Sequence, residues 1–162
     1  MNQLRESLNQ PGEVLKLRGA FQLALKDLDG KIIQQQLVDN TVVLVGRAWV
    51  LKQLESTDNV ASQVISHMAI GSGTVAPVTG NTALGNEVTR KAVSSVNAGN
   101  TSANPPNIQY ECSFASNEAN TTIGEVGVFN SSAVGTLFAR ATIASFVKAT
   151  SNTFALSYII SA

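Results

Sequence analysis

Alternation of apolar and polar residues runs through most of this chain and predicts strands. From Val14 to Leu25, Leu17, Phe21, Leu23 and Leu25 fall on one side while Arg18, Gln22 and Lys26 lie toward the other, the period of two of a half-buried strand. Asp27-Leu28-Asp29-Gly30 supplies turn chemistry, because aspartate bonds to its own backbone and glycine tolerates positive φ. Lys31 to Val38 is then the returning strand of a hairpin. Asp39-Asn40-Thr41 offers N-cap side chains, and Val42, Val45, Trp49 and Leu54 recur near helical spacing with Arg47 and Lys52 outward. This predicts one helix over Val42 to Glu55, ended by Ser56-Thr57-Asp58-Asn59 and anchored on a sheet by Trp49. Its β-branched start, Val42-Val43, equally suits a strand running on from Val38.

Beyond the helix the punctuation changes. An apolar run, Val64 to Ile70, stops at Gly71-Ser72-Gly73-Thr74; Pro77 forbids a helix, Gly80 and Gly85 break any long strand, and Glu87 to Val96 resumes an extended pattern. Asn97 to Asn107, carrying Pro105-Pro106, is the most loop-like stretch. Ile108 to Phe114 alternates cleanly and places Cys112 in the core with Ile108, Tyr110 and Phe114. Thr121 to Phe129, Thr136 to Phe146 and Thr153 to Ile160 complete the strands. The expected fold is mainly β: an antiparallel β-sandwich of about seven or eight short strands with one packed α-helix. Residues 1–13 read as a polar N-terminal arm, with Leu4 and Leu8 one helical turn apart, ahead of a single domain over 14–162.

Charge changes the picture more than length does. Only 14% of the residues are charged, against about 25% in typical soluble proteins. Asn, Ser, Thr and Gln must keep such a surface soluble, as on β surfaces that pack against copies of themselves. The formal net charge is zero, so no global field draws in nucleic acid or an anionic membrane. No apolar run approaches the roughly 18 residues of a membrane span, and no signal peptide opens the chain. A lone Cys112 fits assembly in a reducing bacterial cytoplasm.

Candidate chemistry is sparse. Gly71-Ser72-Gly73-Thr74 after a strand suggests a phosphate loop, but Pro77 removes the helix that such a loop needs and no lysine precedes the threonine; a tight glycine turn is the better reading. His67 is the single histidine, so one chain holds no His-based metal cluster or His-containing triad, and a packed or capping residue is expected there. Glu125 and Arg140 flank the 130–135 turn and can meet across a hairpin, as can Glu87 with Arg90 or Lys91. An ion pair fixing register is one reading; solvated surface charge, worth under about 1 kcal/mol, is favoured. No catalytic, cofactor-binding or metal-ligating residue is assigned, no cofactor is expected, and the protein is expected not to be an enzyme.

The stretch from His67 to Val93, HMAIGSGT followed by Ala76-Pro77 and GNTALGNEVTRKAV, together with TIGEVGVFN over 122–130 and GTLFARA over 135–141, resembles small tailed-bacteriophage virion proteins found among capsid decoration, neck, tail and fibre components. The resemblance spans Leu17 to Ile160. It implies a structural role in the virion, carried out by contacts rather than chemistry. Because the chain is short and lacks a long repetitive shaft, a capsid decoration or cement protein is the first expectation, with a neck, baseplate or short tail-fibre component as the alternative. A carbohydrate-binding β-sandwich competes only if Trp49, Tyr110 or Tyr158 lies exposed in a concave patch beside Glu87 or Glu125. The expected partners are further copies of this chain, in a homo-oligomer with a trimer favoured, and the major capsid protein or another virion protein, with no nucleic acid and no membrane. The expected contact residues are Leu4, Leu8, Asn100, Asn104, Pro105 and Pro106.

Overall fold

A computed structural model describes residues 17–55, 64–100 and 106–161. The first hairpin forms where its alternation places it, from β1 (Arg18–Asp27) and β2 (Ile32–Asp39). Its turn is held by Asp27, whose carboxylate accepts from the Asp29 and Lys31 amides at 3.1 and 2.8 Å, with Gly30 at φ 84°. The chain crosses at Asn40 into β3 (Thr41–Val42) and then α1 (Leu44–Glu55). The helix therefore begins two residues later than expected, and the β-branched Val42 takes the strand alternative.

The remaining strands are β4 (His67–Gly71), β5 (Glu87–Ala92), β6 (Ser95–Asn100), β7 (Asn107–Phe114), β8 (Thr122–Phe129), β9 (Leu137–Val147) and β10 (Asn152–Ser161). They build two antiparallel five-stranded sheets, in the orders β2-β1-β10-β7-β6 and β3-β9-β8-β4-β5. The sandwich class stands, with ten strands among the described residues rather than seven or eight. Two expectations change. The extended run Glu87 to Val96 is two strands in different sheets: Val93 donates to Ser66 and the next amide, Ser94, donates to Glu111, so the chain switches sheets between them. Part of the expected 97–107 loop is strand, since β6 runs to Asn100 and β7 starts at Asn107.

The inner faces close on one core. Phe21, Leu23 and Leu25 of β1, Phe154, Leu156 and Tyr158 of β10, and Cys112 and Phe114 of β7 meet Met68 and Ile70 of β4, Val126 and Val128 of β8, and Ala139 and Ala141 of β9. Tilted and edge-on ring pairs, Phe21 with Tyr158 at 4.8 Å and Phe146 with Phe154 at 5.5 Å, add about 0.5–1.5 kcal/mol each to the area that they bury. Burial in this core pushes the Cys112 thiol up to about 12, so it stays protonated.

Helix α1 packs by an unusual line. Trp49 is 9% exposed and meets the Phe138 ring edge-on at 5.4 Å, so it anchors the helix as expected. Val45 points outward, and the close contact is Gly46, where a Cβ would fall 2.3 Å from the Phe138 carbonyl oxygen. Only glycine lets the helix backbone lie against β9 at this distance. The arm residues Leu4 and Leu8, and the expected contact residues Asn104 and Pro105, lie outside the described residues, as does the side chain of Asn100.

Candidate functional site

The second sheet has a layer on each side. Its inner face meets the first sheet, and across its outer face runs the segment from Ser72 to Asn86 between β4 and β5. Two kinds of contact hold it there. Leu84 packs with Val43, Ala69, Phe129 and Leu137 in a small second core. Beside them, Glu125 of β8 and Arg140 of β9 form a buried ion pair at 2.8 Å, with the glutamate side chain 0% and the arginine 3% exposed.

The favoured reading of this pair as solvated surface charge is thus wrong. Glu125 faces outward from the sheet, but the loop covers it and wraps its carboxylate in donors. Gly73, Gly85 and Asn86 direct their amides at it, at 3.1, 2.9 and 2.6 Å, and Arg140 Nε adds a fourth hydrogen bond at 2.8 Å. The arginine completes the lock by donating to the Val75 carbonyl at 2.9 Å and to Asn81 Oδ1 at 3.0 Å. Burial alone would raise the Glu125 pKa; the Asn86 and Gly85 amides and the Arg140 charge outweigh it and hold the carboxyl below its ordinary value.

Gly71 and Gly73, at the end of β4 and the start of the loop, leave room for this approach. A Cβ at Gly73 would sit 2.3 Å from Glu125 Oε1, and at Gly71 it would meet the Asn86 carbonyl at 2.5 Å. The Gly-Ser-Gly-Thr turn that suggested a phosphate loop contributes one amide, Gly73, to an anion cradle completed by Gly85 and Asn86, and the anion is the chain's own carboxylate. No external phosphate is needed to explain it.

A second ion pair braces the neighbouring hairpin. Arg90 of β5 bonds Glu87 at 2.8 Å, lies 3.5 Å over the Phe129 ring, and donates to the Ser131 and Val134 carbonyls at 3.0 and 2.9 Å. It holds the β8–β9 turn in a conformation with Val134 at φ 57°, which a β-branched residue rarely adopts, and 90% exposed. Val75 and Val78 of the covering loop are 74% and 59% exposed. The arrangement is a rigid frame that displays apolar side chains, a combination that suits protein contact.

The other sequence candidates fall elsewhere. His67 Nδ1 is 2.8 Å from Ser66 Oγ, and burial followed by the Arg90 charge lowers its pKa, in keeping with a packed residue. Pro106 is exposed just before β7. Trp49 and Tyr110 do line an apolar groove, with Val50, Ile108 and Ile160, but neither Glu87 nor Glu125 is part of it, so the condition set for a sugar site is not met. Among the described residues, no group of three or more His, Cys, Asp or Glu is placed to hold a metal ion, and no helix is long and apolar enough to cross a membrane. The buried ion pair was legible only as a possible pairing across a hairpin; the exposed valines carried no signal in the sequence.

Residues 41–160 match the family model described as phage tail-collar fibre protein, N-terminal. Neither a curated protein nor a solved structure matches the chain. The matched span runs from β3 to β10 and so contains the whole second sheet, its covering loop and both ion pairs.

Proposed function

Because this chain belongs to the phage tail-collar fibre protein, N-terminal, family, and is therefore a tailed-phage structural protein related to tail fibres, we propose that it serves as an attachment unit of a tail fibre rather than as a capsid decoration protein. The family match is the observation that carries this reading. The geometry supports it with a surface suited to docking: Val75, Val78 and Val134 stand out from backbone held by the Glu125–Arg140 and Glu87–Arg90 pairs, so little ordering cost remains when a neighbouring virion protein covers them. The unit works by contact rather than by reaction, and the anion cradle formed by the Gly73, Gly85 and Asn86 amides is filled by Glu125. It associates with further copies of itself, as its low charge and exposed valines favour.

Immunogold labelling of intact virions tests the position: gold on tails is expected, and gold on capsids would overturn the tail reading. The surface is tested by Val75→Asp combined with Val78→Asp. Incorporation into virions should fall at least tenfold while the purified protein melts at the parental temperature, because both side chains already face water. Undiminished incorporation would remove the valines from the interface.

A further inference from the structure

The two sheets differ in what lies on their outer faces. The segment from Ser72 to Asn86 runs across the second sheet, whereas among the described residues no outward side chain of the β2-β1-β10-β7-β6 sheet is buried. Register defines this bare face residue by residue. One row across its five strands is Leu37, Gln22, Ser157, Glu111 and Ser95, and the next is Gln35, Ala24, Ala155 and Ser113. Phe21, Leu23, Leu156 and Cys112 alternate with them and belong to the core.

Charge, polar chemistry and size all fit this face to an identical one. Its charges balance: Arg18 and Lys26 lie near the two ends of β1, Asp39 ends β2, and Glu111 stands in the interior. Glu111 already accepts from Gln109 Nε2 at 2.7 Å and from Ser95 Oγ at 3.1 Å, so it needs no cation from outside. The other polar groups of the two rows are amides and hydroxyls, which both donate and accept, and a second copy of the face answers them in either direction. A partner with one dominant sign of charge finds no opposing field here. Five strands spaced about 4.8 Å apart and about eight residues long give a face of roughly 650 Å². Two such faces bury about 1,300 Å² together, inside the range of roughly 1,200–2,000 Å² for specific stable interfaces. Leu37, 69% exposed on the edge strand, is a raised apolar rim for the low middle that Ala24, Ala155 and Ser157 form on a facing copy.

We propose that the outer face of the β2-β1-β10-β7-β6 sheet docks on the same face of a second copy, about a two-fold axis that passes beside Ser157 on the middle strand β10. The proposal rests on the self-association in the attachment reading and gives it a surface; it does not depend on where in the virion the protein sits. An isologous contact of this kind joins two copies, so the face makes a dimer, and the trimer expected from the sequence needs a different surface.

Ser157 alternates with the core residues Leu156 and Tyr158, so a charge placed there tests docking without entering the core. Sedimentation of the purified full-length chain at micromolar concentration should show a dimer. Ser157→Lys and Ser157→Glu should each weaken it at least tenfold, because like charges then meet at the axis. Mixing the two variants should restore the dimer, a result that misfolding cannot produce. Val75→Asp combined with Val78→Asp, on the loop over the second sheet, should pair as the parent does, so this proposal and the attachment reading fail separately. A parent that stays monomeric throughout the micromolar range would overturn the proposal. So would single variants that pair as tightly as the parent, a mixture no more associated than either variant alone, or loss of pairing in the valine double variant, since each moves the contact to another surface.

Discussion

Glu125 is charged and fully buried because four hydrogen-bond donors replace the water it gives up. Removing it by Glu125→Ala leaves Arg140 buried without a counter-charge, and we expect a loss of about 3–5 kcal/mol in chemical denaturation. The pH dependence has a definite sign. Since the folded-state pKa lies below the ordinary value of 4.5, this contribution is fully present above pH 4.5 and is lost as pH falls through the folded-state value. Melting followed from pH 7 to pH 3 should show an acid-side decline that is shallower in Glu125→Ala; parallel profiles would mean that Glu125 does not govern it. Sequence showed that Glu125 and Arg140 can pair but not that they are buried, for two physical reasons. A register irregularity between Ile123 and Glu125 breaks the period of two, so Ile123 and Val126 both face the inner core and Glu125 turns to the outer face. The cover that excludes water there then comes from a loop distant along the chain, whose path alternation does not encode.

At the level of elements, alternation located the strands well, because each has one face on the core and one toward solvent or a thin covering layer. It failed where a strand pattern continues through a change of sheet. Val93 and Ser94 carry neither glycine nor proline to mark the switch, so Glu87 to Val96 reads as one strand. The helix is a mixed case. Trp49 was legible as its anchor, but the inward line also uses Val43 and Gly46 while Leu44 and Leu51 are 57% and 62% exposed, so periodicity alone misplaces its buried face. Trp49→Ala removes an aromatic that packs on Phe138 and should cost about 3–5 kcal/mol, read from thermal or denaturant melting. A melting point within a degree or two of the parent would show that α1 is peripheral to stability.

At the scale of the whole molecule, the two sheets are stitched together along one side. Strand β2 and the far half of β9 face each other there, and glutamine side chains take the place of ladder bonds: Gln34 Nε2 donates to the Ser145 carbonyl at 3.2 Å and the Ala144 amide donates to Gln36 Oε1 at 3.0 Å. Replacing both by valine leaves those backbone groups without these partners, and we expect light scattering of the double variant to rise with mild heating while the parent stays clear. No rise would mean that the side chains are not what protects this side. The stitched side also limits how copies of this protein can grow. Among the described residues, and apart from the two-residue edge β3, pairing by strand addition is left to β5 and β6, which lie at the opposite ends of the two sheet orders and follow each other in the chain. Both edges lie on one side of the body, so strand addition can join it to a neighbour only through that side. Two copies that meet side to side, covering both edges at once, would leave none open at that side, so the pair terminates where a sandwich open on two sides would polymerise.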